Sequence, residues 1–287
     1  MIPLVKPFFD PSSGTFSYVI YSGLGSDCAV VDPVRDYDGN SARTGHAQAN
    51  RIIDFVEQKD LRLQWLLETH IHADHLSAST YLRKQLGGKI ATSGEVKQVS
   101  AQFSEIFNFT EPESDPHLYF DHLFEPDEVF YIGDMHVIAM HVPGHTQADM
   151  AFFVEGSLVF VGDTLFAPDV GTARCDFPGG SANMLWNSIQ RILALPKSTR
   201  IFLCHDYPPE GREPCCEFSI GQQKSFNIHL TCHENEAEFV QFRETRDKAL
   251  RLPELLVPSL QANLRAGALP PAETNGISYI KVPLNTF

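Results

Sequence analysis

The stretch Leu63-Gln64-Trp65-Leu66-Leu67-Glu68-Thr69-His70-Ile71-His72-Ala73-Asp74-His75 passes from an apolar run into a segment carrying three imidazoles and a carboxylate. A short apolar run bounded by polar positions reads as a buried strand, so His70 to His75 fall in the loop at that strand's end. The arrangement recurs. Val137-Ile138-Ala139-Met140 leads to Pro143-Gly144-His145, Leu158-Val159-Phe160-Val161 to Gly162-Asp163, and Ile201-Phe202-Leu203 to Cys204-His205. Pro143-Gly144 or Gly162-Asp163 alone would be an ordinary turn. Strands that stop at one level, however, present their following loops along one edge, where four loops can converge on a point.

What converges there is metal-ligand chemistry. Imidazole and carboxylate donors without thiolate suit Zn, Fe(II) or Mn rather than Cu(I) or an iron–sulfur cluster. In the first loop His70 and His72 can face one side while Asp74 and His75 turn toward another. His70, His72, Asp74, His75, His145, Asp163 and His205 outnumber the roughly three or four ligands one ion needs. Either two ions sit here, or one does and the surplus residues hydrogen-bond around it. The other histidines weighed, His46, His117, His122, His136, His229 and His233, read as surface or structural residues.

Composition narrows the partners. A chain of 287 residues with 43% hydrophobic residues can bury one large core. A formal charge of −14 argues against a polyanionic nucleic-acid substrate, which needs clustered Lys and Arg. No apolar stretch approaches the roughly 20 residues of a membrane span, and Met1 to Pro7 hold no signal-peptide apolar segment. Cys28, Cys175, Cys204 and Cys232 are scattered and Cys215-Cys216 adjacent, which is no disulfide framework. The expectation is a soluble cytoplasmic protein with reduced thiols that binds neither nucleic acid nor membrane. No cysteine begins the loop of a fused sulfurtransferase module.

Along the chain, Phe16–Tyr21 and Cys28–Pro33 read as paired strands, residues 36–50 as a polar surface loop, and Ala47–Gln58 as a helix carrying Ile52, Ile53, Phe55 and Val56. A helix from about Ala78 to Gln85 stops at Gly87-Gly88, and Lys89–Thr92 is a strand. Phe103–Asp127, rich in Glu, Asp, Pro and Phe, reads as a surface insertion. Strands follow at Val129–Ile132, His136–Val142, Met150–Val154 and Leu158–Val161. Asn183–Leu195 is an amphipathic helix with Leu185, Ile189, Ile192 and Leu193 inward, and Asn235–Leu250 is the main helix of the tail. The elements lack a steady βαβ rhythm, which favours an α+β arrangement of two mixed sheets sandwiched between helices.

His70-x-His72-x-Asp74-His75 with His145, Asp163 and His205 in that order resembles the metallo-β-lactamase superfamily over roughly residues 14–210, which implies an αββα sandwich with the metal at the edge between the sheets. The chain would then be one such domain over 1–287, its C-terminal extension, a short helical tail, beginning at about 211. Thr69–Ser79, Pro143-Gly144-His145-Thr146, Gly162-Asp163-Thr164-Leu165, Arg174-Cys175-Asp176-Phe177 and His205-Asp206-Tyr207 look like the persulfide dioxygenases, also called sulfur dioxygenases. Ser219–Asn227 and Gln261–Gly267 are similar to that family's closing segments. Two features depart from it. Ala173-Arg174-Cys175-Asp176-Phe177 stands where the family usually has Gly-Arg-Thr-Asp-Phe, after a longer Ala167–Thr172 loop, and segments 36–48 and 103–127 are long.

The resemblance implies one Fe(II) per chain held by His70, His145 and Asp163, leaving adjacent open positions for a persulfide sulfur and for O2. Two oxygen atoms pass to the terminal sulfur, and water releases sulfite and the free thiol, with glutathione as the carrier. His72, Asp74, His75 and His205 are then hydrogen-bonding groups around the ligands, and His205 and Tyr207 take part in catalysis, Tyr207 otherwise being a packing aromatic. For the glutathione carboxylates Arg174 is the first candidate, because a guanidinium binds a carboxylate through two parallel bonds. Arg212 and Lys224 follow it, with solvated surface charge as their plainer reading. Cys175 reads as structural. The rival is a glyoxalase II-like hydrolase of glutathione thioesters using all seven positions for two ions bridged by Asp163. A scaffold protein without turnover would be expected to have lost some of these residues, and none is missing. Family resemblance also implies a homodimer, with Phe8-Phe9 or the long insertion available for its interface.

Overall fold

The computed structural model describes residues 2–109, 113–233 and 235–286. Strands β1 (Leu4–Asp10), β2 (Thr15–Tyr21) and β3 (Asp27–Val31) form an antiparallel meander. Three two-residue strands follow, β4 (Val34–Arg35), β5 (Tyr37–Asp38) and β6 (Arg43–Thr44). Then come α1 (Ala47–Gln58), β7 (Arg62–Leu67), β8 (Leu76–Ser77), α2 (Ser79–Leu86), β9 (Lys89–Ser93), α3 (Val96–Phe107) and β10 (His122–Phe124). The second half supplies β11 (Glu128–Ile132), β12 (Met135–His141), β13 (Met150–Val154), β14 (Leu158–Phe160), α4 (Ala182–Leu193), β15 (Arg200–Phe202) and β16 (Glu217–Ser219). The tail holds α5 (Ile220–Phe226), α6 (Ile228–Thr231), α7 (Glu236–Asp247) and α8 (Leu256–Asn263).

Two mixed sheets result, ordered β1-β2-β3-β7-β9-β10 and β11-β12-β13-β14-β15-β16. Strand residues alternate between faces, and the core divides accordingly. Tyr18, Ile20, Ala29 and Val31 pack between the sheets against Phe130, Val137, Phe152 and Phe160. Their neighbours Val19, Cys28 and Val30 face the other way, onto Ile52 of α1, Leu82 of α2, Phe103 of α3 and Leu260 of α8. On the far side Val159 and Ile201 meet Leu185 and Ile189 of α4 and Phe239 of α7. These three apolar layers make the αββα sandwich, and they explain why the ligand-bearing strands read as continuous apolar runs: both faces are covered.

Topology then places the ligand loops. β13 is antiparallel to β12 and β14, and β15 is parallel to β14, so β12, β14 and β15 point the same way. His145, Asp163 and His205 therefore leave the second sheet at a shared edge.

Three expectations are corrected. Residues 103–127, apart from 110–112, which lie outside the described residues, are not a surface insertion. Phe103 and Phe107 complete α3 and are buried, as are Phe120 and Phe124, and β10 extends the first sheet by pairing with β9. The segment 36–50 is largely exposed and leads into a helix at Ala47, as expected, but it is not all loop, for it carries the β5–β6 hairpin. Phe8 is buried in β1 and Phe9 is half-buried against Phe16, so this pair is not an open interface.

Phe124 is 1% exposed and touches the rings of Trp65, Phe130 and Phe152. Phe124→Ala is expected to cost about 3–5 kcal/mol, the usual range for emptying a buried aromatic site, read as a lower urea midpoint. An unchanged midpoint would return this segment to the surface.

Candidate metal centre

Backbone hydrogen bonds sew the two sheets together where the loops leave them. Met150 N–H donates to the Thr69 carbonyl (2.8 Å) and Phe16 N–H to the Cys204 carbonyl (2.7 Å), while within the first sheet Asp32 N–H donates to the Leu67 carbonyl (2.9 Å). Gly162 sits at φ +51°, and a Cβ there would lie 2.8 Å from Thr69 Oγ1. The position before Asp163 therefore has no room for a side chain, which brings that loop flush against His70's own.

Nε2 of His70 and Nε2 of His145 lie 3.9 and 3.6 Å from Asp163 Oδ2. One donor atom from each of the three falls within 4.8 Å of the others. The rings are set from behind. His145 Nδ1–H donates to the Arg174 carbonyl (2.7 Å), and His70 Nδ1 stands 3.0 Å from Thr69 Oγ1, so both rings turn Nε2 toward Asp163. His72, Asp74, His75 and His205 form a second set within the same mutual distance. Asp163 stands between the sets, its Oδ1 3.3 Å from His205 Nε2.

These residues fit a metal. Asp163 Oδ1, His205 Nε2, His75 Nε2 and His72 Nδ1 are buried without a hydrogen-bond partner among the described residues. Leaving such atoms unsatisfied costs about 1–3 kcal/mol each, and a divalent cation among nitrogen and oxygen donors satisfies them. Burial, with Asp74 adding its charge, pushes the Asp163 carboxyl well above the usual range. Burial and the surrounding imidazoles hold His70 well below its ordinary value. Burial also brings His205 down to about 4 against the pull of Asp74. His70 and His205 are thus neutral near pH 7, the form in which imidazole binds a metal.

The Metallo-beta-lactamase superfamily profile matches residues 12–205. The chain belongs to the metallo-beta-lactamase superfamily. It is 42% identical to a probable metallo-hydrolase of Burkholderia pseudomallei over 99% of both chains, and 43% identical to Glyoxylase B2 of Dictyostelium discoideum over 98% and 97%. The persulfide dioxygenase ETHE1 of Bos taurus is 26% identical over 93% of this chain and 90% of its own. The crystal structure of ETHE1 from Myxococcus xanthus superposes with a TM-score of 0.73 at 26% identity, covering 92% of this chain and 100% of that one. Other relatives are longer: the chain spans 66% of the beta-lactamase hydrolase-like protein of Agrobacterium fabrum.

Around this superfamily site lie residues that the sequence reading missed. Asp32, at φ +47° directly after β3, accepts from Thr69 N–H (2.8 Å) and Thr69 Oγ1–H (2.9 Å), and its Oδ1 is 3.0 Å from His72 Nε2. Burial works against a charged His72. Asp32 outweighs it and holds that imidazole well above its ordinary value. Glu68, buried and hydrogen-bonded by Ser77 and Ser79, stands 3.6 Å from the same nitrogen. The signal for Asp32 was there: it closes the run Cys28–Val31 as the ligands close theirs. Cys204 brings a thiol into donor range of Asp163 and His205, although burial, with Asp32 and Asp163 alongside, keeps it protonated.

A cavity of about 370 Å³ opens on the centre, lined by His145, Asp163, Phe177, Tyr207, Arg174 and Arg246. The Tyr207 hydroxyl donates to Asp74 Oδ2 (3.3 Å), and its ring stacks on His205. A groove of about 1100 Å³ along the β5–β6 hairpin shares Asp74 and Tyr207 with it. Of the three basic residues expected at the substrate, only Arg174 is here. Its guanidinium already donates to both Asp176 oxygens (2.6 and 2.8 Å) and to the Arg251 carbonyl (2.6 Å). Arg212 is bound by Asp206 and Asp169 away from this cavity, and Lys224 on α5 is exposed and does not line it. Two cations the sequence reading passed over, Arg243 and Arg246 of α7, do line it.

His229 braces the cavity wall. Its Nδ1 accepts from Thr172 N–H (2.9 Å), and burial beside Arg243 lowers its pKa from 6.5 to about 3. Below about pH 6.5 the unfolded chain takes up a proton at this ring that the folded chain refuses, so its contribution makes stability fall as pH drops from there toward about 3. His229→Gln is expected to bind up to one proton fewer on unfolding in that window, seen as a shallower acid limb of the urea midpoint. Parallel limbs for the two proteins would contradict it.

Proposed function

We propose that the chain is a persulfide dioxygenase, oxidising glutathione persulfide with O2 and water to sulfite and glutathione at one Fe(II) held by His70, His145 and Asp163. The carrying observation is that His70, His145 and Asp163 form a buried donor set of their own, with both Nε2 atoms facing Asp163 Oδ2 (3.9 and 3.6 Å) and the two rings held from behind by Thr69 Oγ1 and the Arg174 carbonyl. Support also comes from Arg174-Cys175-Asp176-Phe177, a segment that carries the resemblance to persulfide dioxygenases. Its Arg174 carbonyl orients His145, and its Phe177 ring packs on the same imidazole.

When bound, iron in such a two-histidine, one-carboxylate set supplies adjacent open positions for a sulfur and for O2. The protein's own groups do the rest. Phe177 and Phe166 help shield the cavity from water, and Tyr207 offers a hydroxyl at its wall. Arg174 and Arg243 line the cavity with their guanidinium groups paired to Asp176 and Asp247, which leaves Arg246 as the cation best placed to meet a glutathione carboxylate. His72, Asp74, His75 and His205 hold the ligands' geometry by hydrogen bonding. The proposal includes a cytoplasmic homodimer.

A second reading has its own observation. Asp163 directs one oxygen toward each donor set, the geometry of a carboxylate shared by two ions, which suits a hydrolase of glutathione thioesters. The similarity to Glyoxylase B2 points the same way. Metal content after anaerobic purification, paired with oxygen uptake on glutathione persulfide, separates the two. About one iron per chain with persulfide-dependent uptake is the expected result. About two zinc per chain, no uptake and rapid cleavage of S-lactoylglutathione would replace the dioxygenase with the hydrolase. His205→Ala is expected to retain iron and lose turnover, while Asp163→Ala loses both. A His205→Ala protein without metal would count against the single-ion assignment.

A further inference from the structure

We infer that Asn263, at the end of α8 and beyond the segment matched by the superfamily, is a positioning residue of the metal centre. It lies buried against the ligand loop. Its Nδ2 donates to the carbonyls of His72 (2.9 Å) and His75 (2.8 Å), and its Oδ1 accepts from Ser77 N–H (2.7 Å). The amide's orientation is fixed by its partners: a backbone N–H only donates and a carbonyl only accepts, so oxygen must face Ser77 and nitrogen the two histidines. Both donors and the acceptor of one side chain are thus committed to a six-residue loop whose irregular backbone has no strand partner of its own at these carbonyls.

The segment around Asn263 is itself held in place. Thr80 N–H and Oγ1–H donate to the Ala266 carbonyl (3.1 and 2.7 Å), and Arg35 Nη1–H donates to the Gly267 carbonyl (2.7 Å). Gly267 has φ +82°, and a Cβ there would fall 2.2 Å from the Ser77 carbonyl oxygen, so the chain passes flush against the loop's exit. Leu256, Leu260 and Leu264 anchor the same stretch in the apolar core. Sheet hydrogen bonds fix the ligand loop where it leaves β7, and Asn263 fixes it where it enters β8. The C-terminal extension is in this sense a part of the metal site.

This inference rests on metal binding by the His/Asp cluster and holds for one ion or two and for either reaction. The full chain, stripped with a chelator and titrated with Co(II), tests it through affinity and through the visible Co(II) bands, which report ligand geometry. Asn263→Asp keeps the side chain's shape while replacing two donors with an oxygen facing two carbonyls. It is expected to bind Co(II) about 10–100-fold more weakly, the usual loss when a group supporting metal ligands is removed, with shifted bands and an unchanged far-UV spectrum. Asn263→Ser, which leaves room for water to reach the same carbonyls, is expected to fall between the two, and it decides the matter if the Asp variant does not fold. Wild-type affinity and bands in a variant that only unfolds earlier would reduce Asn263 to a stabilising residue and overturn the inference. Failure of the wild-type chain to take up Co(II) would instead overturn the metal site itself.

Discussion

The structure depends on burying ionisable groups that water no longer solvates. His70, His72, His75, His145, Asp163 and His205 are each at most 7% exposed, and Asp32 and Glu68 lie behind them. A charge or imidazole in such a place is tolerated only with a partner. The protein supplies partners in two ways. Asp32, Thr69, Ser77, Ser79 and the Arg174 carbonyl provide hydrogen bonds from behind, and the inward-facing atoms that remain are arranged as a cation's donor set. The hydrogen bonds between the sheets at Thr69 and Cys204 lie at the edge where these demands meet.

The legible part of the sequence was the part governed by local periodicity and by strand ends. Ala47–Gln58 carries its buried Ala49, Ile52 and Val56 at helical spacing, and Met150–Val154 is apolar throughout because it is covered on both faces. The candidate ligands stood out because each follows such a strand. Residues 103–127 were misread because their aromatic residues serve different layers: Phe103 and Phe107 face the helices, while Phe124 turns between the sheets. Acidic and Pro residues between them hid both patterns. Strand β1 was missed for a related reason, its Lys6 and Pro7 interrupting an edge strand that pairs with β2.

Partnerships between distant side chains were out of reach. Arg212 was a reasonable candidate cation until Asp206 and Asp169 were found to occupy its guanidinium, and nothing local marks Asp169 as its partner. Arg174 illustrates the opposite error. It lines the cavity, but its side chain is committed to Asp176, and its clearest contribution to the centre is a backbone carbonyl that accepts from His145 Nδ1–H. Asn263 combines both lessons, since its three partners lie 186 to 191 residues away in sequence.

Electrostatics reconciles a chain of net charge −14 with the small anionic substrate proposed for it. At physiological salt, exposed charges are screened beyond about 8 Å, so the acidic surface as a whole weighs little on a molecule already inside the cavity. What such a molecule meets is the local set, Arg246 beside the Arg174–Asp176 and Arg243–Asp247 pairs, in surroundings of lower dielectric where a cation counts for more. A nucleic acid would have no such shelter, because its phosphates would extend over the outer surface of a chain with 36 acidic and 22 basic residues. The same distribution would suit the proposed carboxylate-bearing thiol better than a polyanion, under either of the proposed reactions.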